Sequence, residues 1–270
     1  MKLVAWIREE ECDKAIACKL HVNKGLSGLV IERKPSFLKN LSAGEMFEKA
    51  RESFALGQIK SAWNGMQQYY RSNFPSYPGI QTIYCESIND PEVISFTNKF
   101  SPDIVLLSGV EVHEPKSIET NLKTVYLQIH HGLAPYVNEG NNSTNRCLSN
   151  KTFHLLGNAI LCLSSNQQPP GIISNETTFF EGKEKLKDIY IKIMEHGHDL
   201  CLRSLRMISE GKWASNNQEE VIGADLTKNK EWGFAEKKNL IKGLAAFSRH
   251  VNSSETKRLR EQLKLYSLRR

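Results

Sequence analysis

The chain lacks any apolar run approaching the roughly 18 residues that cross a bilayer. Its first residues, MKLVAWIREEECDK, lack the apolar stretch of a secretory leader. Together these absences predict a cytoplasmic protein with no membrane partner. The six cysteines, Cys12, Cys18, Cys85, Cys147, Cys162 and Cys201, make no C-x-x-C pair and show no regular spacing. That argues against a zinc site or a disulfide framework and for reduced, buried thiols. No G-x-G-x-x-G follows the first apolar run, LVAWI, so a dinucleotide has no phosphate cradle and an NAD enzyme ranks low. Internal repeats are also missing.

What is present is ordinary for a globular chain: 270 residues, 40% hydrophobic and 24% charged. That length suits one large α/β domain, or one domain with a small appendage, and allows a proper core. The net charge is +6, and much of it sits late, in Lys237, Lys238, Lys257, Arg258, Arg260, Lys264, Arg269 and Arg270. A basic tail can steer phosphate-bearing ligands or RNA. No aromatic interleaving or nucleic-acid module accompanies it, so a solvated face of terminal helices is the preferred reading and nucleic acid is not an expected partner.

The informative stretch is 102 to 136, PDIVLLSGVEVHEPKSIETNLKTVYLQIHHGLAPY. It reads as a buried strand from Ile104 to Leu107, a Ser108-Gly109 turn, a short crossing, a strand from Thr124 to Ile129, and a loop carrying His130 and His131. Two β-branched apolar runs joined by a crossover are what a parallel sheet needs, because its strands are covered on both faces. Open α/β sheets place ligands at the carboxyl ends of their strands. Ser108 and His130 fall there.

The remaining pattern alternates strands and helices. LVAWI is a first strand, a helix runs through Ala15, Ile16 and Leu20 to Gly25, and LSGLVIER is a second strand. Residues 36 to 80 are a helical insertion whose apolar positions, Phe47, Ala50, Phe54, Ile59, Ala62, Trp63, Met66 and Tyr70, fit a helix period, with room for a break near Gly57. It reads as lid, interface or plain packing, and a homodimer is among the expectations. QTIYCESIND resumes strand character and Pro91 opens the next helix. LLGNAILCLSS is a strand, NQQPPG a turn and IISNETTF a returning strand. Leu186, Ile189, Tyr190, Ile193 and Met194 share one face of a helix that stops at Gly211. The expected division is an α/β domain over 1–211 and a mostly helical extension over 212–270, whose last helix, TKRLREQLKLYSL, has Leu259, Leu263 and Leu265 or Tyr266 as its apolar seam.

PDIVLLSG, LQIHHGLAP and PPGII together resemble the formyltransferase family, which includes glycinamide-ribonucleotide, sugar-nucleotide and methionyl-tRNA formyltransferases. The resemblance covers residues 1 to about 235, most clearly 88 to 211. It implies a doubly wound, mostly parallel sheet, formyl-tetrahydrofolate as donor, and an amine acceptor on a small metabolite or a nucleotide-linked sugar. Ser108, Gly109, Val110, Val112 and His113 would then lie against the folate pterin. The segment after 212 is far shorter than the extra tRNA-binding domain of the methionyl-tRNA member, so that member is disfavoured.

Formyl transfer to an amine passes through a tetrahedral oxyanion, which needs donors at the oxygen and a group that takes the amine proton. The resemblance assigns the family's His to His130 and its Asn to Gln128, which keeps the amide donor on a longer arm. The family's Asp falls on Gln168, or on Pro169 after a slip of one, and neither is an acid. Two readings stay open. One is an active transferase in which His130 works with a carboxylate from elsewhere, Glu111, Glu139 and Glu176 being candidates. The other is a catalytically silent relative that binds a ligand or partner in the same cleft. Metal binding is disfavoured, since adjacent His130 and His131 at a strand end point to opposite faces and His196/His198 lack Cys or carboxylate partners at ligand spacing. Cys147 and Cys162 are nucleophile candidates only if His130 lies alongside.

Overall fold

The computed structural model of the chain describes residues 1–33, 43–110, 123–137, 142–164, 167–212 and 232–266; the side chains of 43–55 and 167–169 also lie outside the description. The β-branched and leucine-rich runs become seven strands: β1 (Leu3–Arg8), β2 (Leu26–Glu32), β3 (Thr82–Cys85), β4 (Ile104–Ser108), β5 (Val125–His130), β6 (Gly157–Ser164) and β7 (Gln167–Thr177). They form one sheet in the order β3-β2-β1-β4-β5-β6-β7, the first five parallel and the last two antiparallel. This is a doubly wound, mostly parallel sheet.

Among the described residues seven α-helices surround it: α1 (Glu11–Lys24), α2 (Ala43–Asn73), α3 (Pro91–Asn98), α4 (Ser143–Asn150), α5 (Leu186–Ser209), α6 (Phe234–His250) and α7 (Ser254–Glu261). Alternating residues of each strand feed two cores, as the pleat requires. On one face Leu3, Ala5, Ile7, Leu106, Leu127 and Ile129 meet α1 and α5 through Ile16, Leu20, Leu200 and Leu205. On the other, Val4, Trp6, Val30, Val105, Leu107 and Tyr126 meet Val93 and Phe96 of α3. The Trp6 indole donates to Thr97 Oγ1 at 3.0 Å, so the buried N–H is satisfied. A third cluster joins α2, α4, α5 and α6, with Leu240 and Phe247 packed beside Leu148, Phe153 and Phe180. Gly243 lies directly against the Leu148 carbonyl, so α6 approaches α4 as closely as a missing side chain allows.

Four local expectations change. The helix of the insertion runs unbroken through Gly57, around which there is open space. A lone glycine costs about 1 kcal/mol in a helix, and the packing of Tyr70, Met66 and Ala62 on either α1 or α5 outweighs it. His130 closes β5 rather than opening the loop, pairing with Ala159 across the sheet. QPPG belongs to β7, not to a turn: β7 is an edge strand, where prolines without an N–H are tolerated. The last helix stops at Glu261, and Tyr266 leaves the helical seam to hydrogen-bond the edge of β7. The crossing at 111–122 lies outside the described residues. Among those described, no helix is long and apolar enough to cross a membrane.

Candidate active site

The strand order reverses direction between β1 and β4, which makes their carboxyl ends the crevice where an open α/β sheet takes its ligand. Ser108 ends β4 there, but its hydroxyl points down and donates to Asp13 Oδ1 of α1 at 2.6 Å, with both residues buried. Gly109 follows with φ +70, and a Cβ there would stand 2.5 Å from Asp13 Oδ2. The turn therefore needs glycine twice over, for its backbone and for the carboxylate beneath it. The sequence-assigned cofactor segment thus begins on a rigid turn. Val110 is buried; Val112 and His113, with Glu111, lie outside the described residues.

Strand β5 delivers the central pair. Gln128 and His130 are two residues apart and share one face of the sheet, the face of Tyr126 and α3. Gln128 Nε2 donates to the Val110 carbonyl at 3.3 Å, linking β5 to the segment after β4. His130 is buried, and burial lowers the pKa of its imidazole below the ordinary value. Its Nε2 lies 2.9 Å from the Val137 carbonyl. A carbonyl only accepts, so Nε2 carries the proton and Nδ1 holds the lone pair. Gly132 keeps this arrangement open, since a Cβ there would sit 2.6 Å from both His130 Nε2 and Ser143 Oγ.

Gln168 is not brought alongside. Gln167 pairs with Ser164 and Tyr126 with Leu163, so Gln168 enters β7 near the level where β5 starts, while His130 is where β5 ends. Its side chain lies outside the described residues. Of the three carboxylate candidates, Glu139 and Glu111 are undescribed, and Glu176 faces away: it pairs with Asn158 on the α5 side of β7, whereas His130 pairs with Ala159 on the other. Cys147 is buried with its thiol pushed up to about 12, and its Sγ contacts the Leu155 carbonyl. Neither it nor Cys162, also raised by burial, presents a thiolate.

A second polar group, which pattern reading missed, lies on the α5 side. His131 Nδ1 donates to Asn158 Oδ1 at 2.9 Å. The Asn158 amide donates to the Ile193 carbonyl at 3.1 Å and to His196 Nδ1 at 3.1 Å. Thr178 Oγ1 is 2.7 Å from the same nitrogen, which leaves His196 Nε2 to face Glu176 at 3.4 Å. Arg203 grips Glu176 with two bonds of 2.8 Å. Burial raises the Glu176 pKa, but the Arg203 and His196 hydrogen bonds outweigh it and hold the carboxyl near 2. Burial drives His131 down to about 4. Asn158 sits inside an apolar run, GNAILCL, and only its isolation as a polar residue in a buried strand signals its role.

No protein-family model matches the chain, and no curated protein matches it. Solved structures do. An uncharacterised Mycobacterium tuberculosis protein assigned as a candidate sugar N-formyltransferase aligns with TM-score 0.53 and 13% identity, over 90% of this chain and 87% of that one. A sugar N-formyltransferase from Shewanella aligns with TM-score 0.52 and 12% identity, over 90% and 88%. Phosphoribosylglycinamide formyltransferase from Anaplasma phagocytophilum aligns with TM-score 0.51 and 14% identity, over 78% and 88%. The topology defines a doubly wound α/β fold with a mostly parallel sheet. More particularly, its fold is that of the formyltransferases.

Proposed function

We propose that the chain transfers a formyl or related one-carbon group from formyl-tetrahydrofolate to the amine of a small metabolite or a nucleotide-linked amino sugar. The observation that carries this reading is the placement of Gln128 and His130 on one face at the carboxyl end of β5, with Gln128 hydrogen-bonded to the Val110 carbonyl. The Val110 and Val137 carbonyls are acceptors of the kind that pterin amino and ring N–H groups need, which is compatible with a folate head once Gln128 and His130 release them. When bound, the folate supplies the formyl carbon. Ser108, Gly109, Val110, Val112 and His113 hold the donor. Gln128 and His130 Nε2 turn their N–H groups from the backbone carbonyls to the developing oxyanion. A neutral imidazole suits that task, and its buried position keeps it neutral. The proton acceptor is Glu111 or Glu139, since Glu176 is on the wrong face.

A specific observation favours a second reading, a silent relative that binds a ligand. Both N–H groups are already satisfied by the chain's own carbonyls, and Gln168 offers no carboxylate. The two readings separate by calorimetric titration with 5-formyl-tetrahydrofolate, followed by a formyl-transfer assay with free and nucleotide-linked amino sugars. Binding with turnover that His130→Ala removes supports the transferase. Binding without turnover supports the silent relative. No binding removes the folate reading.

A further inference from the structure

The face that carries Gln128 and His130 continues across the antiparallel half of the sheet, because directly paired residues share a face. Gln128 pairs with Leu161, His130 with Ala159, and Leu161 in turn with Ile172. On this half Ala159, Leu161, Ile172 and Ala134 form a small apolar cluster, and Tyr266 packs on it from the end of the described chain. The tyrosine is fixed from two sides. Asn175 N donates to the Tyr266 carbonyl at 3.2 Å, and Tyr266 N donates to Asn175 Oδ1 at 2.6 Å. The Asn175 amide also donates to the Ala134 carbonyl at 2.6 Å, and Lys264 N donates to Tyr136 Oη at 2.7 Å. Both Ala134 and Tyr136 belong to the loop that follows His130. One asparagine thus ties the C-terminal segment to that loop.

The Tyr266 hydroxyl is buried and has no hydrogen-bond partner among the described residues. Packing alone would be served by phenylalanine, and a buried hydroxyl without a protein partner is an uncompensated loss of hydration. The ring stands one strand or more beyond Gln128 and His130, on the side away from Ser108–Val110. We propose that Tyr266 forms the wall of this site opposite the donor segment, shielding His130 and offering its hydroxyl to a polar amine acceptor. The assignment of the acceptor side rests on the function proposed above.

The test is the rate at which diethyl pyrocarbonate modifies His130, read by mass spectrometry against exposed His21 in the same sample. Tyr266→Ala raises the His130/His21 ratio at least about fivefold by opening the local cover, with the thermal midpoint of unfolding unchanged, and Tyr266→Phe restores the shield. An unchanged ratio in Tyr266→Ala overturns the wall. Millimolar glucosamine, a hydroxyl-bearing amine, protects His130 in the natural protein, and Tyr266→Phe weakens that protection by about fivefold, the worth of one hydrogen bond. Equal protection in both, or none in the natural protein, overturns the hydroxyl contact. Protection by 5-formyl-tetrahydrofolate is scored separately. Its absence removes the folate reading while the accessibility result for Tyr266 stands.

Discussion

The two faces of the sheet at β5 to β7 treat polar groups in opposite ways. On the α5 side, His131, Asn158, Thr178, His196, Glu176 and Arg203 form a continuous network in which most members bond two others. On the other, Gln128 makes one long bond, His130 one bond to a backbone carbonyl, and the Tyr266 hydroxyl none. A satisfied network holds structure, whereas sparsely bonded groups are free to change partners. The function proposed above uses the sparse face and leaves architecture to the dense one, although the dense face has more histidines.

The sharpest way to break that contrast is Asn158→Leu. It strands His131 Nδ1 and takes one bond each from His196 and the Ile193 carbonyl in a buried site, and the expected loss is about 2–4 kcal/mol in urea unfolding. Glu176→Gln comes next. Discounted for the partial exposure of Arg203, the loss is about 1–2 kcal/mol. Because the Glu176 pKa is lowered on folding, its contribution is present above the ordinary carboxylate pKa and disappears as pH falls toward 2; the variant should flatten that part of the stability profile.

His131 gives a third, smaller signature at higher pH. Its folded pKa, about 4, lies below the unfolded value, so the unfolded chain takes up the proton first and stability declines as pH drops from about 6.5 to 4. Buried His130 and His198 act in the same direction. A urea midpoint that stays constant across that window would show that these imidazoles are not held neutral. The smallest change is Gln128→Leu on the sparse face, expected to alter stability by no more than about 0.5 kcal/mol. A loss matching that of Asn158→Leu would erase the distinction between the faces.

Much of this was legible in the sequence because it is local. The runs LVAWI, IVLL and VYLQI announce buried strands by composition, and Gly25 and Gly211 mark helix ends. The rest depends on partners far away in the chain. Whether Glu176 or Asn158 faces His130 is decided by cross-strand register and by the bulge between Ile160 and Leu161, neither of which has a sequence signal. Pro169 and Pro170 read as a turn because nothing local says that β7 is an edge. Tyr266 reads as part of a helical seam because Asn175, which draws it off the helix, is 91 residues away.

The central strand pair has a consequence for how the chain is made. Leu3 of β1 aligns with Ile104 of β4, with the long helix α2 between them. A ribosome adding about 5–20 residues per second leaves β1 without its inner neighbour for roughly 5–20 s. During that interval one edge of LVAWI has no strand beside it, and its unpaired N–H and C=O groups are open to any other extended segment within reach.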